Sequence, residues 1–193
     1  GLLFEAIALK LLGTHHMSCR LVIKQLTRFR KPKILPEDLN NDGLLVLGKK
    51  SADIVDFDHE GDALAKITAD LSKLALGLPR SPTFSGFDAT LVLPADPPDL
   101  PMLLLLQVTA SAQHPLSDQG LALLRVFTNS NRFSKIIIVY IVPEGAYEGF
   151  AKQELKTDTG NARAKKLFAV AQYCMKILPK QPSSPKHQET AAT

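Results

Sequence analysis

Apolar residues recur along this chain in two rhythms, and the switch between them divides it into elements. At Leu64, Ile67, Leu71 and Leu74 they fall three or four apart, the repeat of one helical face, so a helix is predicted over Asp62–Leu76 with Gly77 ending it. Gly1–Leu12, rich in Leu, Ile and Ala with no breaker before Gly13, also reads as a helix. Pro115 and Ser117 open another, running to about Thr128 with Leu121, Leu124 and Phe127 on one side. A last helix is read over Asn161–Leu178 from Leu167, Phe168, Ala171, Met175 and Leu178.

Elsewhere the apolar positions are contiguous or alternate. Met102–Thr109 and Ile136–Val142 are near-continuous apolar runs, the mark of strands buried on both faces. Phe87–Leu93 is a strand closed by Pro94, and the proline-rich Ala95–Pro101 is a stiff loop in which no ladder continues. Cys19–Leu26 reads as a short strand with Leu21 and Ile23 on one side, and Leu44–Leu47 as another. Lys31–Asn41, with two prolines and an Asn-Asn-Asp-Gly turn at its end, is a loop.

The order is helix, strand, an inserted segment at about residues 31–77, strand, strand, helix, strand, helix. A hairpin followed by a strand–helix–strand crossover makes an α/β domain, a mixed central sheet with helices on both faces. One such domain over residues 1–178 suits a chain of 193 residues, and the Pro/Ser/Lys/Gln-rich residues 179–193 are expected to be a disordered tail. A chain that opens on Gly1 and not Met is expected to be a piece of a longer protein.

Composition narrows the function classes. No apolar run approaches the roughly 20 residues of a membrane-spanning helix, and Glu5 inside the first apolar stretch does not fit a signal peptide. Cys19 and Cys174 give neither a disulfide framework nor zinc spacing, so an intracellular setting, nuclear or cytoplasmic, is expected. The net charge of +4 matters less than its distribution. Arg20, Lys24, Arg28, Arg30, Lys31 and Lys33 run without an acid among them, and Lys152, Lys156, Arg163, Lys165 and Lys166 form a second basic stretch. Such stripes suit a phosphate backbone and equally an ordinary solvated surface. Asp53, Asp56, Asp58, Glu60 and Asp62 lack the spacing of a calcium loop and read first as a solvated acidic turn.

The phosphate-loop, dinucleotide, nucleophile-elbow and zinc-protease signatures are all missing, and the adjacent pair His15-His16 does not converge as metal ligands would. More informative are polar residues at strand ends. Asp88 stands at the start of one central strand, after Gly86-Phe87, and Gln107 and Thr109 end the next. Residues two apart on a strand share a face, so Gln107 and Thr109 project together. They either mark where the strand leaves the core or are paired or coordinated there.

Gly1-Leu2-Leu3-Phe4-Glu5, Gly86-Phe87-Asp88, Leu106-Gln107-Val108-Thr109, and His114-Pro115-Leu116 with Gly120-Leu121 follow one another in an order that resembles the nuclease-like domain of Crinkler and retrotransposon-hot-spot (RHS) proteins. That domain belongs to the PD-(D/E)xK, or restriction-endonuclease-like, superfamily. The resemblance implies Mg²⁺-dependent (or Mn²⁺-dependent) endonuclease chemistry on phosphodiester bonds. Its metal ligands would be Asp88, Gln107 and the carbonyl of Val108, with Glu5 nearby; Thr109 takes the position of the motif lysine. His114 becomes a candidate proton-transfer or phosphate-contacting group. The basic stretches, Arg20 to Lys33 and Lys165 and Lys166 included, would then contact nucleic acid. Duplex DNA is favoured because few aromatics are present to stack single strands, and RNA is the other substrate class. In the family such domains often follow an NTPase module. The alternative is a nuclease-fold module that binds nucleic acid or a protein partner without cutting.

Overall fold

The computed structural model describes residues 19–26, 52–81, 84, 86–153, 155 and 170–179. Among these residues seven strands form one mixed sheet in the order β1-β7-β6-β5-β4-β3-β2. They are β1 (Cys19–Leu26), β2 (Asp53–Phe57), β3 (Ala75–Pro79), β4 (Ala89–Leu93), β5 (Met102–Val108), β6 (Lys135–Val142) and β7 (Ala171–Pro179). Among the described residues three helices accompany them: α1 (Glu60–Ile67), α2 (Asp118–Asn129) and the single turn α3 (Glu144–Tyr147).

The expected hairpin and crossover are both present. β4 pairs antiparallel with β5 (Ala89 opposite Leu106), and β5 runs through α2 into β6, its parallel neighbour. The apolar runs that predicted β5 and β6 are divided between two cores. Leu103, Leu105, Ile138, Tyr140 and Val142 face the core under the helices. Leu104, Leu106, Val108, Ile137, Val139 and Ile141 face the opposite core. Each buried leucine or isoleucine removes enough apolar surface for roughly 1.5–3 kcal/mol, so this strand pair anchors the sheet. The side chains of α1, α2 and α3 all join the first core; among the described residues no helix joins the second.

α2 begins as expected, with Ser117 as its cap accepting a hydrogen bond from the Gly120 N–H at 3.1 Å. The helix read over Asp62–Leu76 is shorter. It stops at Ile67, where Thr68 donates both its backbone N–H and its hydroxyl to the Leu64 carbonyl. Asp70 then accepts from the Ser72 N–H and hydroxyl in a tight turn, and Leu74–Leu76 enters β3. Gly77 is therefore a strand residue and not a helix cap. A Cβ there would lie 2.3 Å from the Thr90 hydroxyl and 3.1 Å from Ile67, so the side chains of β4 and α1 fill its place.

Two further readings change. The helix over Asn161–Leu178 gives way, where it is described, to strand β7. Ala171, Met175 and Leu178 fit a helical repeat, but Tyr173 and Met175 enter one core while Gln172 and Cys174 are buried on the other face. Pairing with β1 on one side and β6 on the other decides between the two patterns. The acidic stretch from Asp53 is not a turn but strand β2 and the start of α1. Its carboxylates are matched by nearby cations: Lys66 on Asp62 at 2.8 Å, Arg80 on Asp58 at 3.3 Å, Lys73 on Asp53 at 3.8 Å. From residue 53 on, the segment set apart in the sequence thus supplies β2 and most of β3 to the common sheet, with α1 between them. The Gly1–Leu12 helix, the Leu44–Leu47 strand and the tail after Pro179 lie outside the described residues.

Gly77→Ala is expected to lower stability by about 1–3 kcal/mol through overpacking. Adding Thr90→Ala should return part of that loss, because it removes the hydroxyl the new methyl would meet, a hydroxyl with no hydrogen-bond partner among the described residues. Urea unfolding of the two single variants and the double variant checks the coupling; strictly additive losses would contradict the contact. A second expectation concerns alkali. Burial, with Cys174 and Glu148 adding to it, pushes the Tyr147 phenol from 10.0 up to about 12. The unfolded chain ionises first, so this contribution is complete below pH 10 and is lost as pH climbs from there to about 12, which unfolding midpoints across that interval would register.

Candidate functional site

The described polar residues singled out in the sequence come together where β4 begins and β5 ends. β4 stops pairing as a strand at Ala89, but Asp88 continues the contact in two ways. Its N–H donates to the Leu106 carbonyl at 3.0 Å, and its carboxylate Oδ2 accepts from the Val108 N–H at 2.5 Å. The side chain thus takes the place of the carbonyl a longer β4 would have offered. The same Oδ2 accepts from Gln107 Nε2 at 2.7 Å. Gln107 is 7% exposed, so this amide is a buried polar group whose nitrogen is matched by a charged acceptor.

Alternation puts Asp88, Gln107 and Thr109 on the face that carries Leu103, Leu105 and α2. α2 comes close to them because Gly120 has no side chain. A Cβ on Gly120 would sit 2.8 Å from the Gly86 carbonyl, so the first turn of the helix rests directly on the backbone leading into Asp88.

Beyond Val108 the chain is fixed by its own side chains. The Thr109 N–H donates to the Ile141 carbonyl of β6 at 2.9 Å. Its hydroxyl accepts from the Ser111 N–H at 3.0 Å and meets His114 Nδ1 at 3.3 Å. Ser111 in turn donates to the Gln113 carbonyl at 2.7 Å. His114 is half-buried, and its backbone N–H donates to Gln153 Oε1 at 2.7 Å. Asp88, Gln107, Val108, Thr109 and His114 therefore form two linked contact groups on consecutive residues of one strand end. Gln113 and Gln119 are exposed beside them.

The remaining predicted site residues are elsewhere. Arg20 and Lys24 lie on β1, which β7 and β6 separate from β5. Glu5, Arg28, Arg30, Lys31, Lys33, Lys165 and Lys166 lie outside the described residues. Two buried glutamines had no place in the sequence reading. Gln153 is 8% exposed and Gln172 1% exposed, and both contact the backbone around His114 or each other. Gln172 was hidden inside an apolar stretch read as helix; Gln153 stands in a loop with no motif around it.

Among the described residues no three His, Cys, Asp or Glu side chains gather as a ligand set, so a cation here would depend on the Gln107 amide and on backbone oxygen beside Asp88. Compared with known proteins, the chain matches no family model, no curated protein and no solved structure.

The capping role of Asp88 can be separated from its charge. Asp88→Ala leaves the Val108 N–H and the Gln107 amide without their acceptor, and is expected to cost about 1–3 kcal/mol. Asp88→Asn keeps an oxygen in place and should cost clearly less. Equal destabilisation of the two in urea unfolding would mean that the charge and not the oxygen carries the contact, and no loss in either would mean that the cap contributes nothing.

Proposed function

We propose that this chain is a restriction-endonuclease-like nuclease domain that hydrolyses phosphodiester bonds of DNA, or of RNA, with Mg²⁺ or Mn²⁺. The observation that carries the reading is the contact of Asp88 with Gln107 at the open ends of two adjacent antiparallel strands, next to Thr109 and His114. A hairpin leading into a strand–helix–strand crossover supports the same reading, because the resemblance implies that order around such a site.

The donor set fits a hard cation. The Asp88 carboxylate and the Gln107 amide stand 2.7 Å apart. That is close to the about 2.9 Å between adjacent oxygens of an octahedron with Mg²⁺–oxygen distances of 2.0–2.1 Å. The nitrogen of Gln107 now faces Asp88, and turning the amide over presents its oxygen instead. Asp88, Gln107 and the Val108 carbonyl would hold the ion, with Glu5 completing the set. Bound there, Mg²⁺ supplies charge for the phosphate and lowers the pKa of a coordinated water. Asp88 and Gln107 fix the position of the scissile group, and the surrounding core excludes water from behind it. His114, beside the Thr109 hydroxyl, is placed to pass a proton at the edge of the site. The basic stretches supply the attraction for the phosphate backbone.

One feature favours a second reading, a nuclease fold that binds nucleic acid without cutting it. Thr109 holds no charge where the superfamily motif has lysine, and its hydroxyl is engaged with Ser111 and His114.

Incubation of plasmid DNA and of RNA with Mg²⁺ or Mn²⁺, beside EDTA and the Asp88→Asn variant, tests the proposal. Cutting is expected only with the metal and only with Asp88 intact, and Asp88→Asn is preferred to alanine because it spares the strand cap. Cleavage retained in Asp88→Asn would overturn the site. Binding that weakens steeply with salt in the absence of any cutting would favour the second reading.

A further inference from the structure

We infer that Gln153 is a positioning residue that holds His114 at the mouth of the Asp88–Gln107 site. The consequence for cleavage rests on the proposed nuclease reading; the placement of the His114 ring does not.

The connection from β5 to α2 would otherwise be loosely held. Ala110, Ser111, Ala112 and Gln113 are all exposed, and their side-chain hydrogen bonds are local ones among Thr109, Ser111 and Gln113. Local bonds of that kind shape a loop but do not fix it to the body of the domain. The Gln153 side chain does. Its Oε1 accepts from the His114 N–H at 2.7 Å, and its Nε2 reaches the Ala112 carbonyl at 3.3 Å. One primary amide thereby bonds on both sides of Gln113, as the backbone of a facing strand would. Nε2 also donates to the Ala151 carbonyl at 2.8 Å, so both of its protons and its oxygen are in use.

Gln153 is in turn held from below. The Gln172 side chain accepts from the Gln153 N–H at 2.8 Å and donates to the Gln153 carbonyl at 2.9 Å. Gln172 is 1% exposed and lies on β7 opposite Ile138 of the fully buried β6. A continuous strut therefore runs from the sheet through Gln172 and Gln153 to the backbone of His114. Two buried glutamines with matched amides are costly to desolvate and to order, and apolar side chains would fill the same space without that cost. What the amides add is direction, and the direction ends on His114.

The strut also constrains the ring. The Thr109 hydroxyl accepts from Ser111 and keeps a second lone pair and its own proton, so it can meet His114 Nδ1 as donor or as acceptor. Either way the contact selects one tautomer of the neutral ring, Nε2–H where Nδ1 accepts and Nδ1–H where it donates. Release of the backbone at His114 frees the ring from Thr109 and mixes the two tautomers.

The test is Gln153→Met, which keeps the length and removes every amide bond. Long-range proton–nitrogen NMR of the His114 ring, at a pH where it is neutral, is expected to show one dominant tautomer in the parent chain and a mixture in the variant. Turnover in the cleavage assay should fall by about 10- to 100-fold with KM unchanged, as expected when a reacting group is misplaced by an ångström or so. An unchanged tautomer in Gln153→Met would overturn the inference, as would a change in KM alone. A parent chain that shows the tautomer shift but cuts nothing would sustain the positioning role and sink the nuclease reading. Should the variant fail to fold, hydrogen exchange of the parent decides: a His114 amide protected like that of Gln153 supports the strut, and one exchanging as fast as Gln113 overturns it.

Discussion

Strands β5 and β6 are enclosed on both faces, and that constraint organises the rest of the molecule. Leu103 through Leu106 and Ile137 through Val142 are almost wholly removed from solvent. A polar side chain is costly along such strands, and within these two runs the Tyr140 hydroxyl alone interrupts the apolar side chains, so chemistry is favoured where the strands end. At that end the backbone ladder must also be completed, because an unmatched N–H beside the core costs as much as a lost hydrogen bond. Asp88 meets both demands with one carboxylate. It replaces the missing carbonyl of β4 for Val108 and accepts the Gln107 amide, so the closing of the sheet and the building of a polar site are the same event.

The neighbouring elements serve that strand end. α2 approaches this closely only because Gly120 lacks a side chain, and its contact with the Gly86 carbonyl fixes the backbone that presents Asp88. On the other side, the loop after Thr109 is tied to β7 through Gln153 and Gln172. The site thus draws on β4, β5 and the β5–α2 connection, which are consecutive in the chain, and on β7, which is remote in sequence. The sheet order brings β7 within one strand of β5.

What the sequence disclosed follows from how each element is stabilised. β5 and β6 were legible because burial on both faces leaves unbroken apolar runs, and α2 because Ser117 caps a clear amphipathic repeat. β7 was not, since a strand with both faces buried shows apolar residues at helical spacings too; only its pairing with β1 and β6 distinguishes it. β2 escaped notice because Asp53 and Asp56 are exposed on it and only Phe57 is fully buried. Gly77 read as a stop because nothing local reveals Thr90 and Ile67 above it. At the site, Asp88, Gln107 and Thr109 were conspicuous as polar residues bordering apolar runs. Gln153 was not, because its role is defined wholly by partners at Ala112, His114 and Gln172.

On the proposed reading, the two departures from the superfamily motif belong together. A strand Asp, a strand Glu and a Lys sum to a single negative charge. Asp88, Gln107 and Thr109 sum to the same. Replacing the acid alone would leave a lysine cation facing the metal with one carboxylate to offset it, and would weaken metal binding through repulsion as well as through a poorer ligand. Replacing the lysine alone would leave two carboxylates uncompensated 2–3 Å apart, which raises the pKa of one of them. Changing both preserves the charge of the site. What it removes is a pair of fixed charges at a place where β5 leaves the core, and the desolvation cost of burying them. The remaining deficit is specific: Thr109 brings no charge where the motif has lysine. A half-buried histidine is held against the Thr109 hydroxyl, which on this reading makes the orientation of His114, and whatever fixes it, the feature on which turnover at this site would depend.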